Sequence, residues 1–213
     1  MVLNRWSQKF YESTRGRIVA LLRRASLTVD QIARALGLTG NAVRAHLATL
    51  ERDGIVLQGI ARGGGVGKPA YTYRIAEDAE PLFSSAYVPI LQQLLEVLSQ
   101  RLPPEQLDGV MRTVGHRLAA SESPGTGNTR ERAERAARML NDIGGVAEVV
   151  DNEGALHIRG LSCPLGAAVH EHPEVCVAVE TLLSDIVGAP VHECCDRTDR
   201  PRCCFDVLTD ASH

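Results

Sequence analysis

Residues 28–56 read TVDQIARALGLTGNAVRAHLATLERDGIV, two short helices that carry their own start and stop signals. Thr28 is a good N-cap, and the helix it opens, Val29 to Leu36, stops at Gly37, a residue type suited to the left-handed position after a helix. Thr39 caps the next helix. There Val43, Leu47 and Leu50 recur three and four residues apart, so they share one face, and Gly54 ends the run. The break Gly37-Leu38-Thr39 has the length of a helix-turn-helix turn. Upstream, Ile18, Leu21 and Leu22 give Arg15 to Arg24 an apolar helical stripe, with Ser13 or Thr14 as its cap. Downstream, Ile55-Val56-Leu57 begins a strand, residues 63–69 (GGGVGKP) form a glycine-rich tip, and Tyr71 to Ile75 alternates as a returning strand. Three helices followed by a hairpin make a winged helix-turn-helix.

In such a module the N-terminal part of the second helix of the pair enters the major groove of DNA. With Val43, Leu47 and Leu50 inward, Asn41, Arg44, Ala45 and Ala48 face outward. Asparagine pairs bidentately with adenine and arginine with guanine, each worth ~1–3 kcal/mol of discrimination. Thr39 and the unpaired amides at that helix start suit a phosphate. Arg52, and Arg62 and Lys68 on the wing, read as contacts to the phosphate backbone, which position without specifying sequence. His46 lies between the two faces and is structural or phosphate-facing. The candidate DNA-binding set is therefore Thr39, Asn41, Arg44, Ala45, Arg52, Arg62 and Lys68.

The 213 residues carry a net charge of −3, which hides an asymmetry. Residues 1–80 have a balance of +5 and residues 81–213 one of −8. A basic front and an acidic back indicate modules with separate tasks. Hydrophobic residues at 44% and charged residues at 23% are ordinary globular values. No apolar run approaches the ~20 residues that span a bilayer, and the first ten residues lack a signal-peptide core. The chain reads as soluble and cytoplasmic. Ser, His and Asp are scattered and there is no P-loop or GxGxxG, so an enzyme is not expected. Three regions are expected: a winged helix-turn-helix over 1–80, a helical linker and dimerisation region over 81–144, and an α+β sensor domain over 145–213.

Within the middle region, Pro81 to Leu102 patterns as a long helix whose Leu91, Leu94, Leu95 and Leu98 form one stripe. It serves as a core helix or, as favoured here, a dimerisation helix, since DNA-reading modules usually work in pairs with half-sites ~34–36 Å apart. Helices follow from Glu105 to Ala120 and, capped by Thr129, to Ile143. The remainder is a small antiparallel sheet. Val146–Val150 and Ala155–Arg159 flank the turn signal DNEG, a helix runs from His172-Pro173 to about Val187, and Val191–Cys195 and Cys203–Leu208 form a second hairpin.

All six cysteines lie after position 160: Cys163, Cys176, Cys194, Cys195, Cys203 and Cys204. In a reducing compartment such a group holds a metal more readily than structural disulfides. There is no CxxC pair, so zinc-ribbon and thioredoxin signatures are absent. The stations fall on a loop, a helix and both arms of a hairpin, and four such thiolates suit an iron–sulfur cluster. Zinc is the alternative metal. Strand parity selects among the pairs: Cys203 shares the face of Phe205 and Val207, and Cys195 that of Val191. The expected ligands are Cys163, Cys176, Cys195 and Cys203. A bulge moves either hairpin choice to Cys194 or Cys204, and His170, His172, His192 or Glu193 remain open as a fourth ligand.

The stretch TVDQIARALGLTGNAVRAHLATLERDGIV, with GVGKPAYTYRIAEDAEPLF and Ala86-Tyr87 after it, resembles the ArsR/DeoR-like winged-helix regulators. The tail resembles their SufR-type branch through Cys163-Pro164, the His-Pro-x-x-Cys of His172 to Cys176, Leu183 to Gly188, and the Arg-Cys-x-Phe of Arg202 to Phe205. The resemblance implies a homodimeric repressor of the suf iron–sulfur assembly operon. It implies one oxygen-sensitive cluster per subunit, [4Fe-4S] with [2Fe-2S] as the alternative, with Cys163, Cys176 and Cys203 as ligands. A zinc- or thiol-based redox repressor is the alternative function.

Overall fold

The computed structural model describes residues 5–60, 71–122, 126–152, 155–198 and 200–208. The chain divides into two units, Met1–Ala86 and Tyr87–His213. The first contains helices α1 (Arg5–Glu12), α2 (Thr14–Leu22), α3 (Val29–Leu36) and α4 (Gly40–Arg52), with strands β1 (Leu27–Thr28), β2 (Val56–Ile60) and β3 (Tyr71–Ile75).

Capping sets the helix boundaries here. Ser13 accepts the Gly16 amide at 3.1 Å to open α2. Thr28 and Gln31 form a reciprocal box at the start of α3: the Thr28 N–H donates to Gln31 Oε1 at 2.8 Å, and the Gln31 N–H to Thr28 Oγ1 at 3.3 Å. Gly37 closes α3 at φ 68°, a left-handed conformation that a side chain would strain. Thr39 accepts the Ala42 amide at 3.3 Å and opens α4. Ile18, Val19, Ile32, Val43, Leu47, Leu50 and Val56 make the buried core of this unit. Each large aliphatic among them contributes about 1.5–3 kcal/mol by leaving water. The sheet runs β1-β3-β2, antiparallel, with Val56 opposite Ile75 and Ile60 opposite Tyr71. Helix α1 and strand β1 are additions to the pattern read from sequence. The wing tip, with Arg62 and Lys68, lies outside the described residues.

The second unit holds α5 (Tyr87–Arg101), α6 (Pro104–Ala119), α7 (Thr129–Asp142), β4 (Val146–Asn152), β5 (Ala155–Ser162), α8 (Val175–Val187), β6 (Val191–Glu193) and β7 (Cys204–Val207). The strands form one antiparallel sheet in the order β4-β5-β7-β6. Alternate residues Leu156 and Ile158 of β5 and Phe205 and Val207 of β7 are buried against Leu140 of α7 and Leu182 and Leu183 of α8. A second apolar group joins Leu95 of α5, Leu107 and Met111 of α6, and Cys176 and Ala178 of α8. The architecture is thus α+β: a winged helix-turn-helix, then helices on a small antiparallel sheet.

Several boundaries differ from expectation. The helix expected from Pro81 starts at Tyr87; Glu80–Phe83 is a separate 3-10 turn, ended by Ser84 in extended conformation. Pro89 therefore sits in the first turn of α5, where its missing N–H removes no bond. The cap of α7 is Asn128 rather than Thr129, because Asn128 and Glu131 exchange bonds of 2.9 and 3.0 Å. Helix α8 starts at Val175; His172 and Pro173 lie in the preceding turns.

Candidate functional site: a DNA-reading helix and a group of four thiols

In the first unit, α4 turns Val43, Leu47 and Leu50 into the core and leaves Asn41, Arg44, Ala45 and Ala48 exposed, with His46 half-buried. Arg44 donates to Asn41 Oδ1 at 3.1 Å, so the two polar side chains lie side by side on the outward face. Thr39 is exposed at the head of the same helix. Arg52 is exposed at its other end and pairs with Asp53 at 3.1 Å. That exposed ion pair is weak and readily exchanged for a phosphate.

In the second unit, four of the six cysteines remain thiols: Cys163, Cys176, Cys195 and Cys203. They come from the turn after β5, the first turn of α8, and the segment between β6 and β7, which supplies Cys195 and Cys203. Cys176 and Cys203 are buried, each 5% exposed, and the other two are half-buried. They form a chain of thiol contacts: Cys163 with Cys203, Cys203 with Cys195, and Cys195 with Cys176. The group lies where the two apolar clusters of this unit meet, since Cys163 packs against both. Gly160 of β5 allows the approach. Its N–H donates to the Cys203 carbonyl at 2.7 Å, and a Cβ there would lie 3.0 Å from Cys203 Cβ.

The thiols perturb one another. The bond from Cys195 holds the Cys176 proton far above the ordinary thiol range, and burial adds to this. For Cys203 the contact with Cys163 raises the pKa, the contact with Cys195 opposes it, burial reinforces it, and the result is about 12. For Cys195 the contact with Cys176 lowers the pKa, but the contact with Cys203 and burial outweigh it and push it up to about 12. Cys163 moves the other way, lowered by its bond to Cys203. Crowded thiols without a cation share protons; a bound metal would replace those protons.

The remaining candidates separate clearly. Cys194 and Cys204 are joined to each other as a disulfide. The ligand atoms of Cys176, Glu193 and Cys195 all lie within 4.8 Å of one another, which brings Glu193 to the edge of the thiol group. His170, His172 and His192 join no such grouping among the described residues. His172 is buried and bonds Glu174 at 3.1 Å through Nδ1. Arg197 is a neighbour that the sequence reading missed. It pairs with Glu193 and lies near enough to Cys176 to favour that thiol's charged form, so it brings positive charge to the thiols. Its sole sequence signal is its place two residues after Cys195.

The first unit is a winged helix-turn-helix, the DNA-binding module of transcription regulators. Residues 12–57 match the family described as bacterial regulatory protein, arsR family. Among solved structures, a cysteine-to-serine mutant of Lactococcus lactis ZitR is 17% identical, covering 51% of this chain and 74% of its own, with a TM-score of 0.30. A mutant of MepR from multidrug resistant S. aureus is 18% identical, covering 55% of this chain and 86% of its own, with a TM-score of 0.31. A comparison with curated proteins finds no match.

Proposed function

We propose that the chain is a transcription repressor that binds operator DNA as a homodimer and responds to an iron–sulfur cluster held in each subunit by Cys163, Cys176, Cys195 and Cys203. Following the resemblance in the sequence, the cluster is [4Fe-4S] and the regulated genes are those of iron–sulfur assembly (suf). Residues 1–80 read DNA, the helices of 81–144 supply the dimer contacts, and 145–213 sense. The observation that carries the proposal is the chain of contacts that links four free thiols from distant stations, two of them buried and two half-buried. The donor set fits: four soft sulfur ligands suit iron–sulfur or zinc, and Arg197 offsets part of the negative charge that four thiolates bring.

When bound, the cluster supplies a redox- and oxygen-sensitive centre. The chain supplies the linkage. Its thiols sit on the β5–α8 turn, on α8 and on the β6–β7 hairpin, so ligation ties three parts of the unit together. Such a ligand alters DNA affinity only by binding two states of the protein unequally. Exposed apolar side chains on α5 and α6, among them Ile90, Leu94, Val97, Val110 and Val114, support a second copy as the dimer partner.

The test is oxygen-free purification with iron, sulfide and zinc analysis, then operator binding with and without the metal at one stated salt concentration. About four irons and four sulfides per chain, lost on replacing any one of the four cysteines by serine, is the expected result. The close Cys176–Glu193–Cys195 grouping favours a second reading, a zinc-dependent repressor. It predicts a colourless protein with about one zinc per chain. Equal DNA affinity of loaded and stripped protein would overturn both.

A further inference from the structure

The hairpin that supplies two of the four thiols also carries Cys194 and Cys204, which take no part in that group. They are bonded to each other across its two arms, ten residues apart in sequence, with Cα atoms 4.8 Å apart. That separation lies within the range disulfides require. The hairpin itself holds it: the Cys194 N–H donates to the Cys204 carbonyl at 2.7 Å, and β6 pairs β7 from Glu193–Phe205 onward. The two sulfurs are thus presented to each other by backbone pairing. Parity separates them from their neighbours. Cys203, Phe205 and Val207 are buried, whereas Cys204 and Asp206 alternate with them and Cys194 is exposed.

We propose that Cys194 and Cys204 form a redox-active dithiol/disulfide site, distinct from the four-thiol group, that exchanges with low-molecular-weight disulfides. In the reduced chain the exposed Cys194 is the entry point, since exchange requires access. Its thiolate attacks one sulfur of a small disulfide RSSR. A mixed disulfide forms, and one RS⁻ leaves and takes up the proton that Cys194 released. The Cys204 thiolate then attacks the Cys194 sulfur, closing the protein disulfide and expelling a second RS⁻, which takes the Cys204 proton. Two electrons pass from the protein to RSSR, which becomes two RSH; two equivalents of small thiol reverse the reaction.

The site has a route to its neighbour. The Cys204 N–H donates to Cys195 Sγ at 3.2 Å, and that sulfur contacts the Cys204 carbonyl at 3.5 Å. Closing the pair therefore constrains a peptide that touches the four-thiol group, and it withdraws two competing sulfurs from the six available as ligands. The inference is independent of what the four thiols hold.

The test equilibrates the full-length chain in mixtures of reduced and oxidised glutathione, followed by acid quenching, unfolding, alkylation of free thiols and peptide mass spectrometry. Cys194 and Cys204 are expected to lose alkylation together, as one two-electron transition joined in one cross-linked peptide. Cys163, Cys176, Cys195 and Cys203 stay alkylated over the same range. Cys204→Ser is expected to trap Cys194 as a glutathione adduct, and Cys194→Ser to show neither adduct nor cross-link. A cross-link from Cys194 or Cys204 to any of the other four overturns the proposal. So does oxidation of Cys195 or Cys203 ahead of the pair, or a wild-type chain in which the pair stays reduced throughout. Because the measurement reads individual sulfurs, it gives the same answer whether the proposed cluster proves right or wrong.

Discussion

Gly115 and Gly109 lie on the same helix, α6, and replacing each by alanine should shift stability in opposite directions. A Cβ on Gly115 would meet the Ala178 carbonyl oxygen at 2.5 Å, Thr181 Cβ at 2.7 Å and the Leu182 nitrogen at 3.1 Å, all on α8. To restore ordinary contact, α8 must withdraw by about 0.9 Å in a core packed as densely as a crystal. Overpacking of this kind costs about 1–3 kcal/mol, while alanine gains about 1 kcal/mol of helix propensity over glycine. The net expectation for Gly115→Ala is a loss of up to about 2 kcal/mol. Gly109 has nothing within 4 Å of its Cβ position, so Gly109→Ala keeps only the backbone gain, about 0.4–1 kcal/mol. Differential scanning calorimetry of the full chain reads both, as a fall and a rise in the transition of the second unit. Because Ala178 is two residues from Cys176, Gly115→Ala should also speed alkylation of Cys176, and Gly109→Ala should not. If Gly115→Ala raises the transition as Gly109→Ala does, α6 and α8 are not packed backbone to backbone and the reasoning fails.

Three further outcomes are expected. Arg44→Ala should weaken operator binding by about 1–3 kcal/mol and relax specificity at one base pair, whereas Arg52→Ala should weaken binding to all sequences and flatten the salt dependence; anisotropy titrations on matched and mutated sites at several salt concentrations separate the two. In the reduced, metal-free protein, the raised pKa values of Cys176, Cys195 and Cys203 contribute stability that is complete below the unfolded value of 9.0 and is lost as pH climbs towards about 12. The lowered pKa of Cys163 acts in the opposite sense but is one group against three, so thermal stability should fall over that window and fall less steeply in Cys195→Ser; a flat profile contradicts the thiol contacts. Thr28→Ala removes one half of a capping box and should cost about 0.5–2 kcal/mol in the melting of the first unit, with Thr28→Ser retaining most of it.

The helix-turn-helix was legible because its signals are local. Thr28, Gly37 and Thr39 act on backbone groups within four residues of themselves, and Val43, Leu47 and Leu50 declare their face by spacing alone. The missed N-cap at Asn128 and the late start of α5 share a cause. Both turn on which of several adjacent polar or breaker residues completes a hydrogen bond, and composition does not rank them. At the thiol group, strand parity put Cys203 and Cys195 on one face, and their side chains contact each other there, because alternation continues past the ends of the two strands.

What the chain order alone determined is the winged helix-turn-helix and the division into a basic front and an acidic, cysteine-bearing back. Periodicity, caps and charge are properties of neighbours in sequence. The tertiary structure decided the rest: that Cys194 bonds Cys204 while four other sulfurs meet, that Arg197 lies near Cys176, and that Gly115 admits α8. Each of these depends on residues brought together by packing across long stretches of chain or by the pairing of strands, and a spacing in sequence carries no measure of that distance.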